Sequence, residues 1–121
     1  MERSFSLEEL LEILDAEFIL GDGWFHGTVH SVSASDLMSD ILSYSKRKGL
    51  LLTGLTNPQT VRTAEMIETV AVCFVYGKNP HDQTMDLAKK NHIPLLKTQL
   101  SMFDACGRLY CAGMKECSKA Q

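Results

Sequence analysis

The chain has 121 residues, of which 45% are hydrophobic and 22% are charged, and its net charge is −3. This length and composition are typical of one globular domain, here residues 1–121 with an ordered part of about 5–113, and the negative charge disfavours nucleic acid and anionic membranes as partners. No apolar run reaches the ~20 residues of a membrane span, and the amino-terminal segment is amphipathic and acidic. A cytoplasmic location is therefore expected.

The first elements are predicted to be a helix and a β-hairpin. Ser6 and Glu9 have the spacing of a capping box, which indicates that a helix begins there. Strands are predicted over residues 16–20 and 25–34. The glycine-rich segment 21–23 would join them as an antiparallel hairpin.

Strands and helices then alternate. A helix is predicted from Ser35 or Asp36 to about Lys48, and its inner face would carry Leu37, Ile41 and Tyr44. Apolar runs over residues 50–53, 70–76 and 93–96 lack polar alternation, which is typical of parallel strands covered on both faces.

Two of the connecting helices share a start signal. Asparagine followed by proline occurs at Asn57–Pro58 and at Asn79–Pro80, where the asparagine would cap and the proline would occupy the first helical position. On the second of these helices the predicted sheet-facing residues are Thr84, Leu87, Ala88 and Asn91. Ser101 is predicted to cap a last helix, and the tail beyond Gly113 is expected to fray.

This order of elements predicts an α/β fold, a three-layer α/β/α sandwich with a mostly parallel, mixed sheet. Ligands of such sheets gather where loops leave the carboxyl ends of the strands. The residues there that could bind a phosphate or carboxylate are Ser35, Asp36, Thr53, Thr56, Asn57, Gly77, Lys78, Asn79 and Lys97. The alternative interpretation is that the asparagines only cap helices and the lysines are solvated.

Catalytic and metal motifs are missing from the sequence. It has no phosphate-binding loop, dinucleotide fingerprint, nucleophile elbow or zinc-protease motif, and no cofactor is expected. Cys106, Cys111 and Cys117 have a spacing that matches no common zinc or iron-sulfur pattern. Trp24 and Phe25 are interpreted as an anchor for the core or for an interface.

Three segments, VSASDLMSDILSYSK, TGLTNPQTVRTAEM and GKNPHDQTMDLAKKNHIPLLKTQLSMFDACGRLY, occur in this order between Val32 and Tyr110. On these segments the chain resembles the DRTGG domain family, which is similar to the N-terminal domain of HPr kinase/phosphorylase. Val75, Tyr76 and Gly77 stand where the family has Thr-Gly-Gly, so only the glycine carries over. The resemblance implies a regulatory or ligand-sensing module without an activity of its own, found beside CBS domains, in phosphotransacetylases and pyrophosphatases, or near iron hydrogenase genes.

Three functional hypotheses follow. The first is a stand-alone regulatory domain, expected to be a homodimer, that binds a small anionic or nucleotide-like metabolite or docks on a partner enzyme. The second is a small phosphotransferase in which Asp36 acts as base while Lys78 and Lys97 hold phosphate. The third is a redox or iron-sulfur accessory protein that uses the three carboxyl-terminal cysteines.

Overall fold

The computed structural model describes residues 3–45 and 48–116. Within these residues the chain forms five helices and six strands. The helices are α1 (Leu7–Leu14), α2 (Met38–Tyr44), α3 (Pro58–Met66), α4 (Asp82–Asn91) and α5 (Met102–Ala112). The strands are β1 (Ala16–Leu20), β2 (Ser31–Ala34), β3 (Leu50–Thr53), β4 (Ala71–Phe74), β5 (Leu95–Thr98) and β6 (Lys115–Glu116). None of the described helices is long and apolar enough to cross a membrane.

The strands form one mixed sheet in the order β1-β5-β4-β3-β2-β6. β2, β3, β4 and β5 are parallel neighbours, β6 adds a short parallel strand beside β2, and β1 is antiparallel to β5. Every residue of β3 and β4 is buried, as their unbroken apolar runs predict.

Two apolar cores lie on opposite faces of this sheet. One contains α1 and α5 and includes Leu10, Leu52 and Leu109. The other contains α2, α3 and α4 and includes Ile41, Leu51 and Val61. Alternate residues of β3 therefore serve different cores, which confirms the predicted three-layer α/β/α class.

The predicted hairpin is wrong. β1 lies at one edge of the sheet against β5, whereas β2 pairs with β3, and the second strand is limited to residues 31–34. In the preceding segment Val29 is buried and pairs with Phe5, with N–H···O distances of 2.9 and 2.7 Å. This contact holds the segment against the start of α1 and leaves it no strand partner in the sheet.

The predicted start of α2 is also wrong, because the helix begins at Met38 and its cap residue makes no side-chain hydrogen bond. Ser35 Oγ accepts from the Leu37 N–H at 3.0 Å, and Asp36 turns away toward β3. Met38 and Ile41 form the buried face, while the predicted inner residues Leu37 and Tyr44 are exposed. The helix ends at Tyr44 and not near Lys48 as predicted, and Lys46 and Arg47 lie outside the described residues.

The two asparagine-proline signals have different outcomes. Asn57 Oδ1 accepts from the Gln59 N–H at 3.1 Å and caps α3, as predicted. Asn79 does not cap α4, because the helix begins at Asp82 after His81, two residues later than the signal predicts. Its Oδ1 accepts instead from Lys97 Nζ at 3.0 Å.

On α4 the predicted inner face is correct at two of its four positions. Thr84 and Ala88 are buried, whereas Leu87 and Asn91 are half-buried. The start of the tail beyond Gly113 is not frayed as expected. Met114 is buried, and Lys115 in β6 pairs with Ser31 in β2. The remaining tail, including Cys117, lies outside the described residues.

Ala88 and Leu87 give a direct test of which face of α4 packs against the sheet. Ala88→Asp should lower the free energy of unfolding by about 4 kcal/mol or more, because it places an unpaired charge in a sealed core. Leu87→Asp should cost only about 1–2 kcal/mol, because that position is half open to water. Urea unfolding of both variants measures the difference, and a larger loss for Leu87→Asp would show that the helix is rotated.

Candidate functional site

Four residues converge where β3 and β4 end, and we call them the carboxyl-edge cluster: Asp36, Thr53, Gly54 and Lys78. Asp36 Oδ1 accepts hydrogen bonds from Thr53 Oγ1 at 3.1 Å and from the Gly54 N–H at 2.6 Å. Lys78 Nζ donates to the Gly54 carbonyl oxygen at 3.3 Å. A Cβ on Gly54 would lie 3.4 Å from both Asp36 Oδ1 and Lys78 Nζ. A carboxylate and an ammonium thus bind the two backbone groups of one glycine residue.

A tight turn brings Lys78 to this position. Tyr76 and Gly77 have φ values of 61° and 66°, and the Lys78 N–H donates to the Val75 carbonyl oxygen at 3.3 Å, which together indicate a type I′ turn. A Cβ on Gly77 would overlap with the end of the Gln99 side chain, which would have to move, and the φ of 66° favours glycine.

Thr56 and Asn57 hold the backbone beside the cluster. The Thr56 carbonyl oxygen accepts from Thr84 Oγ1 at 2.7 Å and from the His81 N–H at 3.2 Å, which ties the start of α3 to the start of α4. Asn57 caps α3. Thr56 and Asn57 therefore each have a structural role, in addition to the ligand contact that the sequence predicts.

Asn79 and Lys97 form a second group. Lys97 Nζ donates to Asn79 Oδ1 at 3.0 Å and lies 3.6 Å from Glu17 Oε1 on β1. Ser35 binds its own loop through the Leu37 N–H. Of the nine predicted residues, the structure thus gathers Asp36, Thr53 and Lys78 around Gly54, and it pairs Lys97 with Asn79.

The cysteines of the described residues are distributed over different environments. Cys73 is buried within β4, and desolvation raises the pKa of its thiol to about 12. Burial also raises the pKa of Cys106, while Cys111 is exposed. Within residues 3–45 and 48–116 there is no group of three His, Cys, Asp or Glu side chains that could hold a metal ion.

Sequence reasoning missed a cavity of about 560 Å³ at the amino ends of the parallel strands, on the side away from the carboxyl-edge cluster. We call it the amino-edge pocket. Its lining residues are Trp24, Phe25, Thr28, His30, Lys48, Glu68, Thr69, Val70, His92 and Pro94. Trp24 is half-buried in its wall and belongs to neither core cluster. The glycines on either side of Asp22 were a signal for an unusual loop, but the sequence does not show which residues that loop meets.

The carboxyl-edge cluster should contribute measurably to stability. Asp36→Ala removes the acceptor of both the Gly54 N–H and the buried Thr53 hydroxyl, and should lower the free energy of unfolding by about 1–2 kcal/mol. Asp22→Ala, a change at an exposed aspartate, should stay within about 0.5 kcal/mol of the parent. Urea unfolding compares the two, and equal stabilities would contradict the contacts described.

The fold resembles a solved structure of a regulatory protein. This is the crystal structure of the CBS and DRTGG domains of the regulatory region of Clostridium perfringens pyrophosphatase, in complex with the activator diadenosine tetraphosphate. The TM-score is 0.71 at 16% sequence identity, and the likeness covers 92% of this chain and 50% of that chain, so the chain spans half the length of its neighbour. No protein-family model and no curated protein matches the chain. The chain thus shares the fold of about half of that structure.

Proposed function

We propose that this protein is a non-catalytic regulatory module that binds a small anionic or nucleotide-like ligand at the carboxyl-edge cluster. The observation that carries the proposal is the fold likeness to a regulatory region crystallised with a nucleotide activator. That likeness is to a regulatory region and not to a catalytic one, which favours this role over the phosphotransferase alternative. Because the chain resembles the DRTGG family, the proposal includes an association with iron hydrogenase or phosphate metabolism.

The chemistry of the cluster suits a ligand that carries both hydroxyl groups and an anionic group. An ammonium has three N–H donors, and the Gly54 carbonyl oxygen takes one of those of Lys78. The others are free to meet a phosphate or a carboxylate. Asp36 would repel a bare anion, but its carboxylate accepts hydrogen bonds from sugar hydroxyls. A sugar phosphate or nucleotide satisfies both side chains at once.

Asp36 also has a role that the phosphotransferase alternative does not need. Its Oδ1 is held by two donors of the β3 loop, Thr53 and Gly54, so the carboxylate joins two loops. Of the three cysteines that the redox alternative uses, Cys106 is half-buried, and burial raises the pKa of its thiol, which disfavours the thiolate that metal binding and redox chemistry need.

Ligand binding through Lys78 can be tested by thermal shift. Phosphate, AMP, ATP, UDP-sugars and acetyl phosphate form the panel, and a ligand at a hundredfold excess over its dissociation constant stabilises the fold by about 2.7 kcal/mol. Lys78→Ala should weaken that stabilisation and leave the midpoint without ligand nearly unchanged, because an exposed lysine contributes little to folding.

Lys89→Ala, in the last turn of α4, is the matched control and should respond like the parent. Stabilisation that persists in Lys78→Ala would separate ligand binding from this cluster. A panel without any shift, combined with a clean dimer, would favour a protein-docking module instead.

The homodimer is part of the proposal, and α5 offers the surface for it. Phe103 and Tyr110 on this helix are 84% and 82% exposed and border an apolar groove of about 450 Å³ between α5 and β2. Gly107 lies between them, and apart from its two chain neighbours and the backbone of its own helix, no atom of the described residues lies within 4 Å of a Cβ placed on it. A glycine inside a helix costs about 1 kcal/mol relative to alanine, and the packing of this chain does not require it.

The face formed by Phe103, Gly107 and Tyr110 is complementary to itself. Phe103 and Tyr110 are equally far from the midpoint between Cys106 and Gly107. An antiparallel pairing of two α5 helices about a twofold axis would therefore place each aromatic ring against the other kind of ring in the second copy. Gly107 would permit the close approach of the two backbones.

Tyr110→Lys should shift the protein from dimer to monomer in sedimentation equilibrium, because it replaces the ring that would face Phe103 of the second copy with a charge. Tyr44→Lys replaces an exposed tyrosine in the opposite helical layer and should leave the dimer intact. A parent protein that is monomeric at high micromolar concentration, or a dimer that tolerates Tyr110→Lys, would refute this surface.

A further inference from the structure

The amino-edge pocket lies where three helix-to-strand connections meet the loop that follows β1. Lys48 precedes β3, Thr69 precedes β4 and Pro94 precedes β5, so its floor is the amino end of the parallel strands. The loop that contains Trp24 and Phe25 closes one side. Its volume of about 560 Å³ is within the range of small-molecule sites. The carboxyl-edge cluster lies at the other end of the same strands.

One aromatic wall of the pocket is fixed in place. The rings of Trp24 and His92 are stacked, with centroids 4.1 Å apart and planes inclined by 16°. Gly21 has φ +89°, and a Cβ on it would lie 2.7 Å from Trp24 Cε3 and 2.9 Å from Pro94 Cα. The Trp24 N–H donates to the Gly21 carbonyl oxygen at 3.0 Å and closes the turn. Any side chain on Gly21 would displace the indole, so the sequence of this loop maintains the wall.

Three functional side chains of the pocket occupy backbone positions that favour glycine. Lys48, Glu68 and His92 have φ values of 66°, 53° and 57°, the left-handed region that glycine and asparagine adopt at least cost. Glycine is the usual residue where a helix ends in this conformation. At each of these three connections the chain instead carries an ionisable side chain that lines one cavity.

The wall also contains a polar group without a partner. Thr69 is 9% exposed, and its hydroxyl has no hydrogen-bond partner within the described part of the chain. A buried hydroxyl in that state lowers stability.

We propose that the amino-edge pocket is a binding site for a small planar aromatic anion. Trp24 and Phe25, with Val70 and Pro94, provide apolar contact for a flat ring, and Lys48, which also lines the pocket, supplies a positive charge for a carboxylate or phosphate on that ring. This site is separate from the carboxyl-edge cluster and does not depend on the function proposed for it.

Trp24 is the single tryptophan of the chain, so its fluorescence reports on this pocket directly. AMP and benzoate are the aromatic anions to titrate. Adenosine and benzamide have the same rings without the charge, and phosphate and acetate have the charge without a ring. AMP or benzoate should change the Trp24 emission saturably, the uncharged partner should bind about tenfold more weakly, and phosphate and acetate should have no effect.

Lys48→Gly is the decisive variant. It removes the ammonium at a position where glycine is the least strained residue, so the thermal midpoint should stay the same or rise while the affinity for AMP or benzoate falls about tenfold. Lys48→Asn, which also tolerates the left-handed conformation, should behave alike and controls for added backbone freedom. Lys78→Ala, at the opposite edge, should bind these probes like the parent.

Two results would overturn the proposal. One is the absence of a saturable Trp24 response to both aromatic anions up to millimolar concentration. The other is an affinity that survives Lys48→Gly but is lost with Lys78→Ala, which would assign the binding to the carboxyl-edge cluster. Conversely, a loss confined to the Lys48 variants would support this pocket even if the carboxyl-edge cluster binds no ligand.

Discussion

The burial of β3 and β4 on both faces is the constraint on which the rest of the structure depends. Each buried peptide N–H and C=O must find a partner, and the parallel ladder with the neighbouring strands supplies it. Their side chains point alternately to two sides, so apolar layers must cover both. The three helices on one face and the two on the other follow from that requirement.

Because both faces are closed, polar chemistry is confined to the two ends of the strands. At the carboxyl ends, Asp36 and Lys78 lie on either side of Gly54 and connect the loops there. At the amino ends, the connections leave a cavity with an aromatic wall. The same strands thus support two surfaces of different chemistry, one in which polar groups satisfy one another and one that is mostly apolar.

The parts of the fold that depend on local signals could be predicted from the sequence. The capping box of Ser6 and Glu9 is present, and Asn57 and Ser101 cap their helices. Predictions failed where a distant residue competes for the same group. Asn79 binds the Lys97 ammonium and does not cap α4, and Val29 pairs with the backbone of Phe5 and not with a strand of the sheet.

The candidate sites show the same division. The convergence of Asp36, Thr53 and Lys78 follows from the general geometry of α/β sheets, since all three follow the ends of parallel strands. The amino-edge pocket depends on left-handed residues and on the path of an irregular loop. These two features produce neither a hydrophobic periodicity nor a motif in the sequence, because lysine and glutamate are not the residues by which left-handed turns are recognised.

The short strand β6 has a consequence for the order of folding. It follows α5, which returns from β5 to the far edge of the sheet, and it pairs Lys115 with Ser31 across most of the chain length. Contacts of such separation carry a large closure entropy and form late. With only two residues at an edge, β6 should also be among the first segments to open in native-state hydrogen exchange. Each opening would loosen the buried Met114 and with it the core beneath α5.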